Sequence, residues 1–187
     1  MTDNMLLKSL QNKPARLALS LLSGLLLFVS FPYTGSQTYL IFIALVPLLL
    51  VENHITQMRY RASKVYVNAL LTFLVYNFGA TWWISYADFY GALMACILNA
   101  LLMALFFTIY HYIRRNLGKS FHLLSLIVVW TAFEFIHYHW EVSWPWLNLG
   151  NTFAIQPSWV QWYSVTGMLG GTVWILLVNF FVAKLFT

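Results

Sequence analysis

Charge is what this chain has least of. Lys, Arg, Asp and Glu together make up 8% of its 187 residues, against about 25% in ordinary soluble domains. Only five residues are acidic, so the polar shell of a soluble domain this size cannot be assembled. A single cysteine, Cys96, excludes an intrachain disulfide framework and a multi-thiolate metal site. No soluble domain, internal repeat, linker or low-complexity tract is visible. The first apolar run lacks a small-x-small cleavage site before a polar region, which favours a retained helix over a signal peptide. What remains is apolar: 61% hydrophobic residues, in recurring runs of the length, about 17–25 residues, that crosses a bilayer. The fold class is all-α, a polytopic transmembrane helix bundle of about six spans.

The net charge of +5 could suggest a nucleic-acid partner, but the positions of the cations argue against one. Lys8, Lys13 and Arg16 precede the first run. Arg59, Arg61 and Lys64 separate the second from the third, Arg114, Arg115 and Lys119 the fourth from the fifth, and Lys184 closes the last. The alternate connections, around Pro32–Gln37, Ser85–Tyr90 and His137–Thr166, hold neither Lys nor Arg. That alternation is the positive-inside pattern, and it predicts a cytoplasmic N-terminus with the other face outward.

The spans are expected at Pro14–Ser30, Thr38–Val51, Val65–Ser85, Tyr90–Ile113, Ser120–Ile136 and Thr166–Phe186. The second is short and contains Pro47, so a tilted or partial crossing is expected. Small and polar residues at helical spacing predict bundle seams: Ser20 and Gly24; Asn68, Thr72, Tyr76, Gly79 and Trp83; Gly91, Ala95 and Asn99; Gly167, Gly171, Trp174 and Val178. An alternative places Asn68 or Tyr76 in a substrate cavity.

After the fifth run, Glu134–Asn151 reads EFIHYHWEVSWPWLNLGN. It is loaded with aromatics, free of Lys and Arg, and broken by Pro145 and Gly150. Such a segment suits the membrane–water boundary, where indoles settle and irregular backbone can be satisfied by protein or water. Within it, Glu134 is expected either to make an essential polar contact or to be solvated at the interface. His137, His139 and Glu141 would share one side of a strand as metal ligands, but no fourth ligand is evident and a metal is not expected. Cys96 has no base nearby in sequence and reads as core. Asp88 either caps the fourth helix or touches a headgroup. Pro157 is placed to open a short interfacial helix carrying Trp159, Trp162 and Tyr163 on one face.

Several blocks in order carry a family resemblance: LSLLSGLLLFVSFP (Leu19–Pro32), IALVPLLLVE (Ile43–Glu52), NFGATWWISYADFYGAL (Asn77–Leu93), WTAFEF (Trp130–Phe135), and a long block over Ser143–Asn179 that starts SWPWLNLGN. Together they resemble the membrane domain of bacterial apolipoprotein N-acyltransferase. The resemblance implies a multi-pass protein of the bacterial inner membrane that serves acyl transfer from phospholipid to the N-terminal amine of a diacylated lipoprotein. It implies no cofactor. In that family the Glu, Lys and Cys of catalysis sit in a nitrilase-like domain between later helices, which these residues do not include. The chain is therefore expected to be a single, truncated membrane domain (1–187), inactive alone, with no catalytic residue of its own. The scaffold residues that carry over are Glu134, Pro145, Trp146, Leu147 and Gly150; with Trp144 they are the candidate lipid contacts, and Trp146 leads them. The alternative is a standalone membrane lipid-binding or interaction protein without enzymatic activity. A small transporter is disfavoured, because the acids lie near span ends rather than in a mid-bilayer relay.

Overall fold

The computed structural model describes residues 10–141 and 143–187, apart from the side chain of Lys119. Lys8 and Val142 thus lie outside the described residues. Every element among them is helical: α1 (Lys13–Ser30), α2 (Ile41–Ala44), α3 (Val46–Gln57), α4 (Ala62–Thr81), α5 (Phe89–Leu117), α6 (His122–His139) and α7 (Tyr163–Lys184), joined by short 3₁₀ turns.

Five segments are long and apolar enough to cross a membrane: α1, the run Thr38–Gln57 that contains α2 and α3, α4 with its 3₁₀ extension to Tyr86, α5 and α7. The sixth expected span forms α6. It packs between α5 and α7 and is not among those five.

The second run is the most enclosed of all, touching α1, α4, α5 and α7. Pro47 breaks it into α2 and α3, as a proline lacking its N–H must. The break strands one helical rung, the Leu45 N–H and the Ile41 carbonyl. Asn179 of α7 fills it: its Oδ1 accepts from Leu45 N at 2.8 Å and its Nδ2 donates to Ile41 O at 2.8 Å. The run extends to Gln57 rather than stopping at Val51.

Seams form where small residues let backbones approach. Gly24 of α1 sits against Thr72 and Val75 of α4 with no room for a Cβ. Ser20 Oγ donates to Asn68 Oδ1 at 2.9 Å, and Thr72 Oγ1 donates to Ser20 O at 2.8 Å. Asn68 therefore belongs to a seam. On α5 the buried face is Ala92, Cys96, Asn99 and Met103, which keeps Asn99 of the expected Gly91–Ala95–Asn99 stripe and puts Ala92 and Cys96 in place of the other two. Gly91 lies instead beside Asp88, whose side chain caps α5 by accepting from Tyr90 N. Asn99 Nδ2 donates to Asn77 Oδ1 at 2.8 Å, and Thr81 Oγ1 lies 3.2 Å from the Cys96 thiol. Cys96 is a core residue. On α7, Gly167 adopts φ 63° and kinks the helix, so it interrupts the expected stripe rather than lining it.

The ends of the bundle differ. At one end lie most of the cations, and two of them are internal. Arg114 is buried and paired with Glu52, also donating to Asn53 Oδ1 at 2.6 Å, while His111 Nδ1 lies 2.7 Å from the same carboxylate. Arg16 is buried with its guanidinium on the Leu10 and Gln11 carbonyls. The other end carries the aromatic segment.

Candidate functional site

At the aromatic end, α1 stops before Pro32, and the chain folds back on itself. Phe31 O accepts from Gly35 N and Ser36 N, and Tyr33 and Ser36 take the positive φ values (63° and 59°) of a tight return. Beside it α4 tightens into the 3₁₀ turn Trp82–Tyr86. The segment after α6 completes the surface as three 3₁₀ turns: Pro145–Leu147, Leu149–Ile155 and Pro157–Val160. Prolines open two of them, where the missing N–H costs nothing.

Irregular backbone at this depth must have its polar groups satisfied by protein or water, and Glu134 is the hub that does so. It is almost wholly buried. Its Oε1 accepts from Leu149 N at 2.8 Å and from the Trp130 indole at 3.1 Å; its Oε2 accepts from Thr172 Oγ1 at 2.6 Å. Thr172 Oγ1 in turn accepts from Gly150 N at 3.1 Å. Gly150 meets the backbone of α7 at Met168, leaving no space for a side chain. Tyr163 Oη donates to Gly150 O at 3.0 Å, and Tyr76 Oη to Leu147 O at 3.2 Å. Tyr76 is thus a tether for the segment, not a cavity wall.

These bonds sort the sequence-derived candidates. Glu134, Leu147 and Gly150 are buried scaffold. Trp144 is half-buried, and its backbone N–H donates to His137 Nδ1. Pro145 starts the first turn, and its carbonyl accepts from Asn151 Nδ2 at 2.9 Å. Trp146 alone of the six points into open space: it is 56% exposed and meets Trp83 edge-on at 6.1 Å.

That open space is a cavity of about 600 Å³, lined by Phe31, Tyr33, Thr81, Trp82, Trp83 and Trp146 among others. Its size falls inside the range of about 300–1,000 Å³ typical of ligand sites. Glu134 does not line it. Among the described residues no ionisable side chain other than the phenol of Tyr33 borders it, so its chemistry is that of an apolar receptor. Of these six, sequence reasoning placed only Trp146 among the lipid contacts; Trp83, expected in a bundle seam, is instead exposed and lines the cavity. The signal for the rest was available in the Phe-Pro-Tyr and Trp-Trp clusters, each at the same end of a span as the Pro-Trp-Leu segment.

Two expectations change. His137 and His139 sit on a helix, not a strand; His137 is buried against Phe133 while His139 is exposed and stacks on Phe135 at 4.2 Å. A helix turns about 200° over two residues, which parts the two rings. The expected interfacial helix after Pro157 is a single 3₁₀ turn ending at Val160, and Tyr163 already belongs to α7.

Residues 23–181 match the model of the apolipoprotein N-acyltransferase N-terminal domain. The chain is also 34% identical over 171 residues to an apolipoprotein N-acyltransferase of Chlorobaculum tepidum, an alignment that covers 90% of this chain and 31% of that protein. The chain thus spans about a third of its relative's length. No solved structure matches it.

Proposed function

The chain belongs to the apolipoprotein N-acyltransferase N-terminal domain family, and we propose that it serves lipoprotein maturation by holding a phospholipid for acyl transfer to a diacylated lipoprotein. The cavity at the aromatic end receives an acyl chain of that phospholipid, with the Trp146 indole against it. The observation that carries this reading is that cavity: apolar, large enough for a chain, and walled in part by Trp146 of the Pro-Trp-Leu segment. The protein resides in a bacterial inner membrane with this end facing the periplasm, as the placement of its cations supports. Acyl transfer itself is performed by groups outside these residues. Cys96, the one thiol, is buried between Thr81 and Asn77 with no base beside it among the described residues, whereas a nucleophilic cysteine needs a partner that forms its thiolate.

The test uses the purified chain in nanodiscs containing a phospholipid with a photoactivatable acyl chain. Cross-links are expected on Phe31, Trp83 and Trp146. Trp146→Ala should weaken capture by roughly two- to tenfold, the about 0.5–1.5 kcal/mol expected of a lost aromatic contact, with the thermal unfolding midpoint little changed. Equal loss of folded protein would make Trp146 structural. Formation of a triacylated lipoprotein by this chain alone would overturn the assignment of chemistry elsewhere. The alternative, a lipid-binding protein that serves no acyltransferase, is favoured by the same apolar cavity. It fails if the gene continues in frame into a Glu-, Lys- and Cys-bearing domain.

A further inference from the structure

A second, smaller cavity of about 180 Å³ lies beside the first, lined by Phe78, Thr81, Trp82, Ser85, Phe89, Ala92, Leu93 and Cys96. Like the first, it is a half-open recess with a largely apolar lining. Among the described residues only Thr81 and Trp82 line both spaces. We infer that Trp82 is the partition that sets the acyl-chain length this site accepts, closing the first cavity at its wall with the second. This inference rests on the reading of the first cavity as an acyl-chain site.

The two shared residues are held very differently. Thr81 is buried, donates to Asn77 O at 2.7 Å and touches the Cys96 thiol; it is a fixed part of the α4–α5 seam. Trp82 is 51% exposed, and among the described residues its indole N–H has no hydrogen-bond partner. Its ring is supported by an edge contact with Tyr86 at 5.6 Å. A large flat side chain with one soft contact is a movable partition, and the indole is the bulkiest group available to block a chain. Beyond it the second space is walled by Phe78, Phe89, Ala92 and Leu93 from α4 and α5, an apolar lining that suits the methyl end of a chain.

The energetics favour discrimination by space. A chain that leaves the bilayer for a cavity exchanges one apolar medium for another, so it gains packing contacts rather than hydrophobic transfer energy. A chain too long for the first cavity must fold back or leave its end in lipid. Removing the indole joins the two spaces and gives those last methylenes a place to pack.

The purified chain and its Trp82→Ala variant would be placed in nanodiscs with an equimolar series of phospholipids of increasing acyl length, and the retained lipids identified by mass spectrometry. Expected is enrichment of the longer chains in the variant, on the order of two- to threefold, as gained dispersion contacts allow. A lipid with a photoactivatable group at its terminal carbon should then label Phe89, Leu93 or Cys96 in the variant and not in the parent. Trp82→Leu, which keeps an apolar side chain, covers the case in which the alanine variant fails to fold. Adding Ala92→Leu to refill the second space should reverse the shift. Unchanged chain-length selection in folded variants, with labels remaining on Phe31 and Trp146, would overturn the role of Trp82 and leave the acyl-chain site standing. Absence of label from either cavity in every variant would overturn the acyl-chain site itself.

Discussion

Glu134 shows how a single buried side chain can hold irregular backbone in place. Its carboxylate serves three donors from α6, α7 and the aromatic segment, and each would be stranded without it. Glu134→Ala should therefore destabilise the protein by about 1–3 kcal/mol for each buried donor left unpaired, read as an earlier unfolding transition in detergent. Glu134→Gln keeps one acceptor oxygen and the side-chain shape, so its loss should be smaller. If both variants unfold normally yet fail to retain lipid, the carboxylate has a functional role instead. The family resemblance placed Glu134 and Trp146 in the same candidate set. Burial separates them, because one side chain turns in to satisfy backbone and the other turns out into a cavity.

At the scale of elements, the break at Pro47 was visible in the sequence and its repair was not. The side-chain amide of Asn179 stands in for the lost rung of a helix 134 residues earlier in the chain. Asn179→Leu should cost about 1–3 kcal/mol by leaving the Leu45 N–H and Ile41 carbonyl unpaired in the bundle. Adding Pro47→Ala should recover part of that loss, since the restored N–H lets the helix close its own bonds. A double-mutant cycle on unfolding free energies measures the coupling; simple additivity would mean that Asn179 and the break are independent. The α5 seam, which keeps Asn99 of the expected stripe but uses Ala92 and Cys96 instead of Gly91 and Ala95, carries a related lesson. Small residues recur on more than one face of a long apolar helix, and only the neighbour's side chains, here Asn77 and Thr81, select which face is used.

For the whole molecule, the separation of a cationic end from an aromatic end makes a prediction about orientation. In a Cys96→Ser background, a cysteine replacing Ser158 should react with a membrane-impermeant maleimide added to the periplasmic side, and one replacing Arg59 should not. The reverse pattern would invert the proposed topology and remove the cavity from the periplasmic face. Arg16 and Arg114 are less available for setting orientation than their positions suggest, because both are buried in contacts within the protein. Arg59, Arg61, Lys64 and Arg115 remain at that end, enough for the rule to operate.

The sequence by itself determined the class and the apolar runs, and it predicts the face on which the aromatic segment lies. Those follow from residue type alone: apolar runs partition into a bilayer and cations resist crossing it, whatever their neighbours are. The ordered Trp, Pro, Gly and Glu blocks also carried the family. Tertiary structure decided the rest: that Glu134 and Asn179 are internal splices, that Glu52 and Arg114 meet, that His137 and His139 part, and that Trp82, Trp83 and Trp146 enclose one space. These depend on which distant side chains face each other, and a one-residue turn of a helix, about 100°, is enough to change every one of them.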